Sequence, residues 1–274
     1  MGKVQLSRPA AITKEDWNYF LSFYPEEYLH ELSESLKSEN RFLVDERFQK
    51  LLFQYVFSNA SRYQAQTTLY PGMQKLFRAR IYKKTDAYER FSNSDKSALF
   101  QGYSESESFV PPKGKNVGEG RINPSNIRYL YTSSDVDTCM LEVRPQPGEY
   151  ISVAEIELLD RVTLVDVTTS ISTIDTDSEE KTSWINLFPF ALGALFQKPY
   201  IDTGDYYLCQ YICEYLKNWG LDGIKFRSSM FRSSQNGGIN YTFFEPDKCR
   251  AVSSSLYYIR GMTLSTIQPT IEEK

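Results

Sequence analysis

Arg78, Arg121, Asn123, Tyr131, Glu142 and Ser228 are the residues whose types could do chemistry together. Arg121, Tyr131 and Glu142 fall within one short stretch, GEGRINPSNIRYLYTSSDVDTCMLEVR, Gly118 to Arg144. An arginine offers a planar, permanently charged fork that suits a pyrophosphate. A tyrosine ring can stack on a flat heterocycle. A glutamate can hold ribose hydroxyls and stabilise the positive charge that builds on an anomeric carbon as a glycosidic bond breaks. A serine hydroxyl can orient that glutamate or a carboxamide. No metal or histidine is needed, and together these roles describe cleavage of the nicotinamide–ribose bond of NAD. Taken singly, arginines and glutamates are more often solvated charges or structural ion pairs than ligand contacts, a strand tyrosine is more often core, and the serine reads also as a turn residue, so spacing alone does not establish the NAD reading.

Other chemistries find little support. GEGRIN contains a G-x-G, but no third glycine follows and no clear strand precedes it, so a dinucleotide-binding fingerprint fails. P-loop, H-E-x-x-H and G-x-S-x-G motifs are absent as well. The single histidine, His30, lies in the surface-helix pattern EEYLHEL, far from any nucleophile signature, so no histidine triad is expected. The four cysteines, Cys139, Cys209, Cys213 and Cys249, form no C-x-x-C pair, so no zinc site is expected. Cys209 and Cys213 share a helical face and read as packed thiols. A net charge of −4 argues against a protein that coats nucleic acid, so no direct nucleic-acid binding is expected. The longest apolar run, SWINLFPFALGALF (Ser183–Phe196), is too short for a membrane span and is broken by Pro189 and Gly193; it reads as a buried helix. With no basic-then-apolar leader and unpaired cysteines, the expected location is the cytoplasm.

The elements that must position these side chains change texture along the chain. TKEDWNYFLSFY starts with Thr13 and carries Asp16 three residues on, a helix start. EEYLHELSESLKS is amphipathic, and VDERFQKLLFQYVF spaces Phe48, Leu51, Leu52, Tyr55 and Val56 on one face. Pro71-Gly72 breaks this pattern, which divides the chain into a helical region (1–72), a catalytic region (73–262) and a tail (263–274). LFRARIY, RYLYTS, YISVAEIELL, RVTLVDV, GIKFRSS, INYTFFEP and SLYYIRG read as strands. SDVDTCMLEV is a short helix capped by Ser134 or Asp135, and GDYYLCQYICEYLKNWG is a helix ending at Gly220. A polar stretch from about 92 to 119 reads as a long loop. The fold class is α+β with a mixed sheet. The 20 tyrosines and 17 phenylalanines must mostly fill its interior.

The ordered blocks LFRAR, then PP…GEGRINPSNIRYLYTSSDVDTCMLEV, then YICEYLKNWGLDGIKFRSS…GGINYTFFEP resemble the RES domain, over roughly Leu76 to Pro246. That family comprises the toxins of RES–Xre toxin–antitoxin pairs, folds like an ADP-ribosyltransferase and consumes NAD by phosphorolysis or hydrolysis, or modifies a protein target. The resemblance implies Glu142, Arg78, Tyr131 and Ser228 as catalytic residues and Arg78, Arg121, Asn123, Tyr131 and Ser228 as nucleotide-binding ones. Ser229 could stand for Ser228, and Arg80 for Arg78 on the same strand face. It also implies NAD as substrate, no cofactor or metal, inorganic phosphate as a candidate co-substrate, and an Xre-type antitoxin or other inhibitory partner. The helical first seventy residues and the long segment before Arg121 depart from short members, and Phe226 stands where many relatives have tyrosine. The helices' apolar faces are expected to pack on the catalytic region or to make a homo-oligomer.

Overall fold

This computed structural model describes residues 8–40, 45–57, 65–82, 102–111, 114–168, 180–197, 206–230 and 238–262. Three helices open it: α1 Lys14–Phe20, α2 Pro25–Ser38 and α3 Glu46–Phe57. α1 begins in a reciprocal cap: Asp16 N donates to Thr13 Oγ1, and Thr13 N donates to the Asp16 carboxylate at 2.8 Å. Lys50 of α3 reaches the same carboxylate at 3.2 Å, so the cap also ties the two helices together. Burial alone would raise the Asp16 pKa, but the Thr13 and Lys50 donors hold it below the usual carboxylate range. His30 is an exposed residue of α2.

The apolar faces of these helices pack within the same chain. Phe20, Leu29, Phe48 and Leu52 form one buried cluster with Trp184 and Phe188 of α6 (Glu180–Gln197) and Leu208 and Leu216 of α7 (Tyr207–Asn218). Polar ties follow the same path. Trp184 Nε1 donates to Phe23 O at 3.0 Å, and Tyr55 OH donates to Asp166 O at 3.1 Å. α6 runs through Pro189 as the buried helix expected for that apolar run. Among the described residues no helix is long and apolar enough to cross a membrane. α7 ends before Gly220, whose φ of +88° is the left-handed turn that favours glycine.

Among the described residues the sheet has eight strands, in the order β1-β5-β6-β7-β3-β2-β4-β8. They are β1 Gln66–Leu69, β2 Leu76–Tyr82, β3 Leu130–Ser133, β4 Tyr150–Leu158, β5 Val162–Asp166, β6 Gly223–Arg227, β7 Ile239–Phe243 and β8 Cys249–Tyr258. Neighbours run antiparallel except β5 and β6, whose parallel pairing requires a crossover; α6 and α7 supply it. Val165, Ile224 and Phe226 face the helical cluster, while Leu164, Tyr241 and Phe243 fill a second core on the opposite side, the alternation that strands impose. β1 lies just before the Pro71-Gly72 break, in a stretch without strand periodicity, and is recruited by pairing with β5. The described residues add two short helices: α4 Glu105–Ser108, within the stretch read as loop, and α5 Val136–Glu142. α5 lays Cys139 on Ala79, Ile151 and Val153 of β2 and β4. The architecture is α+β with a mixed sheet, and all four cysteines are buried free thiols.

Candidate active site

A cleft of about 440 Å³ opens where β2, β3, β7 and β6 meet the end of α5. Arg78 comes from β2, Tyr131 and Ser133 from β3, Asn240 from β7 and Phe226 from β6. Arg121 comes from the preceding turn, and Glu142 and Arg144 from the end of α5. Strand pairing brings these residues together from sequence-distant segments: Ser133 is registered against Asn240, and Asn240 against Phe226.

Glu142 is the last residue of α5. Asp135 fixes the start of that helix by accepting from Thr138 N at 2.8 Å, so the glutamate falls two turns on. A carboxylate at a helix C-terminus faces the negative end of the helix dipole. Two donors offset this. Ser228 Oγ and Asn240 Nδ2 each donate to Oε1 at 2.6 Å. Glu142 nonetheless stays exposed to the cleft. Ser228 is itself 1% exposed and accepts from Met230 N at 3.1 Å, so it sits behind the glutamate, while Ser229 lines the cleft.

Arg78 and Arg80 are also told apart. Arg78 Nη1 donates to Tyr131 O at 3.1 Å, and its Nε is buried with no partner among the described residues. Burial, with Arg80 adding, lowers the Arg78 pKa to about 10, which leaves it cationic at neutral pH. An orphaned buried donor on a cationic side chain in a cleft is what an anionic ligand would satisfy. Arg80 is exposed, donates to Glu107 O and lies 5.2 Å from the Tyr103 ring, outside the cleft lining. Arg144 has a left-handed φ of 50° and also lines the cleft, so among the described residues three arginines share it with the Glu142 carboxylate; Arg121 Nη1 donates to Phe196 O.

Tyr131 and Asn123 build the turn that carries Arg121. The Tyr131 hydroxyl accepts from Ile122 N and Asn123 N at 3.2 Å each and donates to Asn123 Oδ1 at 2.7 Å. That hydroxyl is therefore committed to the turn, and burial pushes it above the usual phenol range; its ring lines the cleft. Asn123 is 3% exposed and lies behind the lining, its amide donating to Gly118 O and Pro124 O. A Cβ on Gly120 would meet Asn123 Oδ1 at 2.7 Å and Tyr131 OH at 2.9 Å, so the turn closes only around glycine. Gln210 of α7 pins it from behind, donating to Gly120 O at 2.8 Å. Cys139 also touches the cleft, but burial raises its thiol to about 12, far from a thiolate nucleophile.

Sequence reasoning missed Asn240, Ser133 and Arg144. The available signal for Asn240 was an amide inside the apolar strand INYTF, where a buried polar group demands a partner. A larger hollow of about 900 Å³ lies elsewhere, lined by residues that include Lys115, Arg128, Asp160, Lys217 and Asp247; its charges are mixed and it holds none of the candidate residues.

The RES domain family model matches residues 96–260, which contain Arg121, Tyr131, Glu142, Ser228 and Asn240; Arg78 lies ahead of the matched segment. No curated protein matches the chain. A similar solved structure is the crystal structure of the M. tuberculosis MbcT–MbcA toxin–antitoxin complex, at 14% identity and a TM-score of 0.40, covering 77% of this chain and 97% of that one. With more than half of its length matched by the family model and the glutamate and late serine joined by a hydrogen bond in an arginine-lined cleft, this chain belongs to the RES domain family.

Proposed function

We propose that this chain is an NAD-consuming toxin that breaks the nicotinamide–ribose bond. The observation that carries this reading is Glu142, held by Ser228 and Asn240 yet open in a cleft with three arginines. The arginines suit the pyrophosphate of NAD, and the buried Nε of Arg78, which has no partner among the described residues, is the strongest reason to expect an anion there. Bond cleavage sends the C1′–N1 electron pair to the pyridinium nitrogen, so nicotinamide leaves neutral and the ribose carries positive charge. The Glu142 carboxylate stabilises that charge more than it stabilises the ground state. Water at C1′ then gives ADP-ribose and a proton; inorganic phosphate gives the 1-phosphate of ADP-ribose. An antitoxin partner belongs to the same proposal.

The test is to incubate the purified chain with NAD, with and without phosphate, and to quantify nicotinamide, ADP-ribose and ADP-ribose 1-phosphate. Nicotinamide release is expected, and the second product names the acceptor. Tight NAD binding without release would instead make the chain a nucleotide sensor, and ADP-ribose appearing on a protein or nucleic acid would make it a transferase. In cells, expression without a partner should lower NAD and arrest growth.

A further inference from the structure

The Glu142 carboxylate is held through one oxygen. Ser228 Oγ and Asn240 Nδ2 both donate to Oε1 at 2.6 Å, and Oε2 has no hydrogen-bond partner among the described residues. Two donors from different strand ends fix the rotation of the carboxylate and leave Oε2 as the oxygen that can meet a ligand. We propose that Asn240 is a positioning residue, which sets Glu142 so that Oε2 serves the breaking bond, and that Ser133 fixes the direction of the Asn240 amide. This rests on the NAD-cleaving reading above.

The chain of contacts is directional. Asn240 is 6% exposed and Ser133 3%. The Ser133 hydroxyl donates to Asn240 Oδ1 at 2.7 Å, which leaves the NH₂ end for Glu142. Turning the amide over would set two acceptors against each other at Glu142, with the Asn240 amide itself buried from water. The geometry is built by register, since β3 and β7 place Ser133 and Asn240 opposite each other. Ser228 holds the same oxygen from beyond β6, so neither donor alone determines where the carboxylate points.

Asn240→Asp, Asn240→Ala and Ser133→Ala, compared with the parent, test this by melting temperature, NAD affinity and single-turnover rate per folded molecule. Asn240→Asp keeps the size and the bond from Ser133, but it sets a second carboxyl against Glu142 Oε1, so the pair either repels or shares one proton, and in both cases Glu142 loses the position or the full charge that serves the breaking bond. Its rate should fall about a hundredfold or more, as for loss of an electrostatic stabiliser. Asn240→Ala, which only removes one donor, should lose about tenfold, and Ser133→Ala about threefold, on the scale of one hydrogen bond. NAD affinity should stay within about twofold throughout, because the arginines that suit the pyrophosphate are untouched. A packing role gives the reverse order: the void left by alanine would be worse than the near-isosteric aspartate, and rate losses would track melting temperature. That order, or Asn240→Asp at the parent rate, overturns the proposal. Should Asn240→Asp not fold, parent rates in both alanine variants would do the same. A parent that leaves NAD intact defeats the underlying reading and this inference with it, whereas an active parent with an unaffected Asn240→Asp defeats the inference alone.

Discussion

Replacing Glu142 by glutamine separates a catalytic carboxylate from a structural one. Glutamine keeps one oxygen to accept from Ser228 and Asn240 and exchanges Oε2 for an NH₂ group. Hydrogen bonds to a charged acceptor are worth about 1.5–3 kcal/mol and neutral ones about 1 kcal/mol, so the two contacts weaken but persist. Removing a negative charge from the C-terminus of α5 returns about 0.3–1 kcal/mol. A net loss of about 1 kcal/mol is expected, a fall in melting temperature of about 2–4 °C for a chain of this size. The effect on rate is far larger. A unit charge about 4 Å from the forming cation, at an effective dielectric near 20, is worth about 4 kcal/mol, an upper bound of about a thousandfold. Single-turnover NAD cleavage should therefore fall about 10²–10³-fold while NAD affinity, measured calorimetrically, stays near the parent value. A folded Glu142→Gln protein that turns NAD over at the parent rate would remove this residue from the mechanism.

Arg78→Met should weaken NAD binding while raising the melting temperature of the unliganded protein by a few degrees, since burial disfavours the arginine's charge. The sign follows from linkage: with its folded pKa lowered to about 10, below the ordinary guanidinium range of the unfolded chain, the native state binds fewer protons than the unfolded state between the two. The penalty of the buried charge is thus fully present at neutral pH, begins to lift as pH rises through about 10 and is gone only above the unfolded pKa; parent and variant stabilities should approach each other across that window, and a variant melting below the parent at pH 7 would refute this. Gly120→Ala should cost about 1–3 kcal/mol and weaken NAD affinity, because the new Cβ would displace the Asn123–Tyr131 pair under Arg121; unchanged melting and affinity would show that the turn can yield. A chain starting at Gln74 should not fold: it lacks Phe20, Leu29, Phe48 and Leu52 from the shared cluster and β1 from the sheet edge. A cooperative melt with parental NAD turnover from that truncation would refute this.

Local rules made much of the fold legible before any tertiary contact was known. The Thr13–Asp16 spacing announced a capped helix, the Phe48–Val56 periodicity a buried face, LFRARIY a strand, and the Ser134-Asp135 pair a helix start, of which the structure uses Asp135; each depends on neighbours within a turn or a pleat. The residue types of the site were legible for the same reason, because Arg, Tyr, Glu and Ser carry their chemistry wherever they lie. Their partnerships were not. Arg78 rather than Arg80 enters the cleft, Ser228 rather than Ser229 holds the glutamate, and Asn123 braces a turn. Asn240 and Ser133 meet across 107 residues of chain, by a strand register that no local pattern encodes. The opening helices likewise announced an apolar face without saying what covers it, and only the packed chain supplied α6 and α7. Periodicity is set by bonds a few residues apart, whereas a site is set by side chains that folding alone brings within hydrogen-bond reach.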